Sequence, residues 1–167
     1  MAMAVQVEAG RLKWTDTLGE LFPELAASMR PEYRQRTVLE VLGFRAGLLR
    51  LDLFADFNDA PVNPGSLTSQ RLDFARWLLE QPPINVPGTT SAYSNASYVL
   101  AGAIVERASS RPFEQTLQDT VLTPLGLNAA LGLPQTVSPD QPAAHIQLSP
   151  GVFAPIAPSR SWPTSAP

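Results

Sequence analysis

Tyr93, Ser94 and Asn95 place a phenol, a hydroxyl and a carboxamide side by side in the chain. The surrounding stretch runs Pro87-Gly88-Thr89-Thr90-Ser91-Ala92-Tyr93-Ser94-Asn95 and then Ala96-Ser97-Tyr98-Val99-Leu100-Ala101-Gly102-Ala103-Ile104-Val105-Glu106. A Pro-Gly turn leads into the triplet, and an amphipathic helix is predicted to start at once after it. Polar groups fixed at such a loop-to-helix corner suit chemistry at the mouth of a cleft. A phenol has an ordinary pKa of about 10, so it becomes a base only where nearby cations stabilise its anion. Taken alone, Tyr93 reads first as a partly buried aromatic with its hydroxyl satisfied, and Asn95 as a plain helix N-cap. Ser94 is assigned no role.

Other candidates for chemistry are weaker. The chain has no cysteine, which removes disulfides, thiolate zinc sites and a cysteine nucleophile. His145 is the only histidine, so a Ser-His-Asp triad would have to use it. No Gly-x-Ser-x-Gly elbow accompanies it, and a solvated or capping histidine is the simpler reading. Asp52, Asp56, Asn58 and Asp59 bunch together but lack the spacing and closing glutamate of a calcium loop. They read as a solvated loop, and no metal site is expected. Glu106-Arg107 reads as the polar face of a helix. No Gly-rich phosphate loop is present.

The elements that must position the triplet are mostly helical. Met1 to Gly10 reads as the last turns of a helix with Gly10 as its stop, and a start in mid-helix suggests truncation. Thr15-Asp16 is a candidate N-cap for a short helix that ends before Pro23. Thr37-Val38-Leu39-Glu40 has the capping-box pattern, with a helix to about Leu42 that meets Gly43. Residues 44–65 read as an irregular crossing. Thr68 or Ser69 caps a helix carrying Leu72, Ala75, Leu78 and Leu79 on one face, ended by Pro82-Pro83. After the triplet, Ala96, Val99, Leu100, Ala103, Ile104 and Ala108 have the spacing of a core-facing helix. Pro112 opens another helix with Phe113, Leu117, Val121 and Leu122 on its apolar face, closed by Pro124-Leu125-Gly126-Leu127.

From residue 128 the composition changes. Prolines recur at 134, 139, 142, 150, 155, 158, 163 and 167, which permits neither a helix nor a central strand for long. Ile146, Val152, Phe153, Ile156 and Trp162 favour an extended segment lying on another part of the protein over plain disorder. The expected division is therefore a helical lobe, 1–127, and a Pro-rich extended segment, 128–167.

Composition bounds the rest. A chain of 167 residues can bury one sizeable core. The net charge of −3 gives no electrostatic footprint for nucleic acid. The longest apolar run, Tyr98 to Val105, is far below the roughly 20 residues needed to span a bilayer. The N-terminus has no basic region followed by a long apolar one, so it is not a signal peptide. Periplasm and cytoplasm both remain open.

These segments together carry a resemblance. Val5 to Leu12, followed by Asp16, is similar to the end of the nucleophile helix of the serine β-lactamase and penicillin-binding-protein superfamily, in particular the class C β-lactamase-related esterases and D-peptidases. Thr37 to Leu48 resembles that family's T-x-x-x-L-L-x-H-x-[AS]-G-L segment, and Tyr93-Ser94-Asn95 its second catalytic motif. Gly102 to Glu106 followed by Pro112-Phe113 resembles the helix pair behind that motif, and Pro124 to Leu127 its P-L-G-M signature. The match covers roughly residues 1–130. A lone Tyr-x-Asn occurs by chance; the ordered set is specific.

The resemblance implies a mainly α chain here, the helical lobe of an α/β fold whose antiparallel sheet lies elsewhere. It implies ester or amide hydrolysis through an acyl-serine intermediate, without cofactor, on a small ester, amide or β-lactam. Tyr93 would be the general base and Asn95 would bind substrate and the motif lysine. The family's Ser-x-x-Lys is absent: Lys13 is the only lysine, and position 10 is Gly. The motif is expected before Met1, and the third, Lys/His-x-Gly, after Pro167. The chain by itself is therefore expected to be inactive, since it holds no nucleophile; the alternative is a helical binding module or degenerate relative. Phe44 stands where the family usually has His, and Ser110 where Gly is common. Both changes are expected to affect local packing and not the chemistry directly.

Overall fold

The computed structural model describes residues 1–51, 59–61, 63–132, 138, 140–143 and 145–155. The expectations placed on Asp52, Asp56, Asn58, Pro134, Pro139, Ile156, Pro158, Trp162, Pro163 and Pro167 lie outside the described residues. What is described is mainly helical, with one small antiparallel sheet.

Helix α1 spans Ala2–Glu8. Its end is a Schellman turn, in which Arg11 N–H donates to Gln6 O and Gly10 N–H to Val7 O. Gly10 takes the left-handed conformation this turn requires, with φ +69°. Two short helices follow, α2 at Leu18–Leu21 and α3 at Pro31–Arg34, with a 3-10 turn at Pro23–Leu25 between them. The cap of α2 is neither Thr15 nor Asp16. Thr17 accepts from Glu20 N–H while the Glu20 carboxylate accepts from Thr17 N–H, a complete capping box. Asp16 instead accepts from Lys13 N–H at 2.8 Å and closes the preceding turn. Helix α4, Val38–Leu42, begins with the expected Thr37–Glu40 capping box and stops at Gly43. The two caps lie side by side, because Thr17 and Thr37 form an antiparallel bridge.

Helix α5 spans Leu67–Glu80. Its cap is Ser66, two residues before Thr68 and three before Ser69, because Ser66 accepts from Ser69 N–H. Phe74, Ala75, Leu78 and Leu79 are buried on its inner face, and Leu72 is partly buried. Helix α6 spans Asn95–Ser109 and packs against α1, α4, α5 and the next helix. Ala96, Val99, Leu100, Ala103 and Ile104 lie in the core as their spacing implied, and Ala108 packs against its edge. Pro112 caps α7, Phe113–Leu117, which runs on as a π-helical turn over Gln118–Leu122. Gly126, at φ +63°, lets Leu127 N–H return to Leu122 O at 2.9 Å.

Glu106 is not on a polar face. It is 7% exposed, and its Oε1 accepts from Arg71 Nη1 at 2.6 Å, from Thr68 Oγ1 at 2.8 Å and from Phe113 N–H at 2.9 Å. Glu114 also pairs with Arg71. The helix period puts residue 106 on the side facing α5, and the partner there is a buried arginine. Arg107, one residue on, is the exposed one; it pairs with Glu24 and stacks over Phe22 at 5.2 Å.

In the tail, β1 (His145–Ser149) and β2 (Val152–Pro155) form an exposed two-stranded antiparallel hairpin. Pro150-Gly151 turns the chain, with Gly151 at φ +78°. This pairing was not expected from the Pro-rich sequence. It is compatible with the prolines because Pro155 sits at the end of a strand, where no ladder continues. Among the described residues no helix is long and apolar enough to cross a membrane.

Candidate active-site corner

Residues 43–51 act as a backbone template for residues 84–95. Gly88 N–H donates to Arg45 O at 2.7 Å, Ser91 Oγ to Gly43 O at 3.0 Å, and Ala92 N–H to Phe44 O at 2.9 Å. Further along, Ser94 Oγ donates to Leu49 O at 2.6 Å and Asn95 N–H to Arg50 O at 2.8 Å. The template needs Gly47, at φ +75°, because a Cβ there would sit 3.1 Å from Asn85 O and Pro87 Cγ. Leu48 and Ala46 anchor the segment in the core.

Tyr93 and Asn95 come together at the start of α6. The Tyr93 hydroxyl donates to Asn95 Oδ1 at 2.9 Å. Asn95 Nδ2 donates in turn to Leu51 O at 2.8 Å. The carboxamide is thus held at both ends, while the phenol is 55% exposed. In this arrangement the phenol is a proton donor. To act as a base it must first lose that proton, and the carboxamide must then present Nδ2 to the anion, because Oδ1 would repel it.

Asn95 is not the cap of α6; it is the first helical residue. Ser94 caps the helix, accepting from Ser97 N–H at 3.0 Å while its own proton goes to Leu49 O. The residue given no role by its sequence is 1% exposed and fixes where the helix begins. The available signal was the residue type, since serine ranks with asparagine among the preferred N-caps.

Phe44 was expected to affect packing alone, yet its ring lies against the phenol. The centroids of Phe44 and Tyr93 are 5.0 Å apart with a 50° tilt, and Tyr98 lies 5.5 Å from Phe44 on another side. His145 is exposed on β1, with Nδ1 2.8 Å from Ala143 O. Asp59 is exposed. Among the described residues no cluster of His, Asp or Glu could hold a metal ion.

A cavity of about 470 Å³ opens between the 3-10 turn, α5, α6 and α7, lined by Phe22, Thr68, Leu72, Ala103, Arg107 and Pro112. It lies at the C-terminal end of α6, roughly 16 Å along the helix from Asn95 at 1.5 Å per residue. It is separate from the Tyr93 corner.

The described helices bring the phenol of Tyr93 and the carboxamide of Asn95 together at the start of α6. The sequence matches the Beta-lactamase family model over residues 1–164, and the chain belongs to that family. It is 30% identical over 122 residues to a β-lactamase of Escherichia coli (strain K12), covering 73% of this chain and 29% of that protein. It is 28% identical over 151 residues to a β-lactamase of Pseudomonas fluorescens, covering 86% of this chain and 38% of that one. The octameric penicillin-binding protein homologue from Pyrococcus abyssi superposes with a TM-score of 0.64 at 26% identity, covering 92% of this chain and 36% of that one. The chain thus spans between 29% and 38% of the length of these relatives.

Proposed function

We propose that this chain supplies the Tyr-x-Asn corner of a serine hydrolase that cleaves an ester or amide, β-lactams included, through an acyl-serine intermediate. Tyr93 takes the proton of the attacking serine, and Asn95 orients the acyl donor and the motif lysine. The observation that carries this reading is the 2.9 Å Tyr93–Asn95 hydrogen bond on an exposed phenol at a rigid helix start. Membership of the Beta-lactamase family supports it.

The chain itself carries out no acyl transfer, because no Ser-x-x-Lys stands in its sequence. Incubation of the 167-residue chain with a fluorophosphonate probe tests this. We expect no labelled serine, and a covalent adduct on any serine overturns it. The alternative is a helical module that binds such substrates without turning them over, a reading that a full-length gene without Ser-x-x-Lys would favour. Saturable binding of an intact β-lactam to the isolated chain, without hydrolysis, would establish that reading.

A further inference from the structure

Two residues of the template hold a backbone conformation that L-amino acids avoid. Phe44 has φ +58° and Leu51 φ +51°. Each such residue costs about 1–2 kcal/mol, and it persists only where the surrounding structure over-determines it. Both carbonyls are used at the corner: Phe44 O accepts from Ala92 N–H, just before Tyr93, and Leu51 O accepts from Asn95 Nδ2. The strained positions therefore bracket the pair from its two sides.

Phe44 has a second role that Leu51 lacks. The Tyr93 ring is more than half exposed, and an exposed side chain ordinarily exchanges rotamers on a picosecond-to-nanosecond scale. Two contacts restrain it: the hydroxyl bond to Asn95 at one end and the Phe44 ring against its face. The 5.0 Å separation and 50° tilt fall in the range where aromatic pairs attract beyond simple area burial. The left-handed turn at Phe44 and the ring contact belong to one device. The backbone holds Ala92 while the side chain holds the next ring in sequence.

We infer that Phe44 is a positioning residue for Tyr93, holding the phenol ring in the orientation that keeps its oxygen on Asn95. Its importance for catalysis rests on the reading of Tyr93 as the general base. The orientation itself is measurable without catalysis, so failure of one is distinguishable from failure of the other.

The test is NMR on the full chain with labelled aromatic residues. Its three tyrosines report separately, and Tyr33, fully buried with its hydroxyl 3.4 Å from Gly47 O, reports on the intact core. Phe44→Gly removes the ring and fits the left-handed backbone. We expect the Tyr93 ring signals to collapse to averaged, solvent-like positions while those of Tyr33 hold, and Phe44→Tyr to restore the Tyr93 signals. Tyr93 signals unchanged in Phe44→Gly would overturn the inference. So would loss of the Tyr33 signals together with those of Tyr93, since Phe44 would then hold the lobe and not the phenol. Failure of Phe44→Tyr to rescue would overturn it as well.

Discussion

Arg71 and Glu106 form an ion pair 2.6 Å long between α5 and α6, with both side chains almost wholly out of water. Such a pair is weak support for stability as it stands, but removing one partner leaves a buried charge. Glu114 also reaches Arg71, so the guanidinium would keep one carboxylate. Glu106→Ala should therefore cost about 3 kcal/mol, the lower end of the usual range for a broken buried pair. Replacing both partners with apolar residues, Arg71→Met with Glu106→Leu, should recover only part of that loss, because Thr68 Oγ1 and Phe113 N–H lose their acceptor and Glu114 its cation. Urea midpoints of the single and double variants check both expectations.

Ser94 links the corner to the helix. Its hydroxyl is both the cap acceptor for Ser97 N–H and the donor to Leu49 O. Ser94→Ala loses the cap, worth about 1 kcal/mol, and leaves a carbonyl without its donor, at about 1–3 kcal/mol more where it is buried. We expect a loss of about 2 kcal/mol, together with faster amide exchange at Ser97. An unchanged exchange rate there would show that the cap contributes nothing.

Tyr33 gives the lobe an alkaline limit. Burial raises its pKa well above the ordinary 10, outweighing the opposite pull of Arg30. The neutral phenol is favoured in the folded state, so the folded chain holds its proton where the unfolded chain releases it. The contribution is complete below pH 10 and falls as pH rises above that value toward the higher folded-state pKa. Stability should decline from pH 10 upward, and Tyr33→Phe should flatten that decline. Urea midpoints at pH 9, 10 and 11 for both proteins test it.

Much of this fold was legible because its signals are local. Thr37–Glu40, Gly10 and the apolar period of α6 each depend on residues a few positions apart, and each stands where the sequence placed it. Most of the misses were pairings across the chain. Glu106 looked like a surface residue because its partner Arg71 is 35 positions away. Phe44 looked remote from the chemistry because the ring it meets belongs to a segment that only the folded template brings close. One miss was local: Thr15-Asp16 was expected as the cap although Thr17-x-x-Glu20 carries the same capping-box pattern as Thr37-x-x-Glu40. The triplet stands out by its types and spacing, but that Ser94 and not Asn95 caps the helix required the register of the helix start.

Ser110 stands where Gly is common in the family, and the structure supplies the reason for the preference. It is the C-cap of α6 and has φ +55°. A helix stop of this kind needs a left-handed residue, and a Cβ there costs about 1–2 kcal/mol. Serine is exposed at this position, so its side chain has little packing to lose. Part of the gain is offset by the greater freedom of glycine in the unfolded chain, worth about 0.5–1 kcal/mol. Ser110→Gly should therefore raise stability by about 0.5–1 kcal/mol, the difference of those two effects. Ser110→Ala should do no better than the natural residue, since it keeps the Cβ. Thermal unfolding of the three proteins discriminates: a midpoint for Ser110→Gly at or below that of the natural chain would mean that the left-handed turn carries no strain worth relieving.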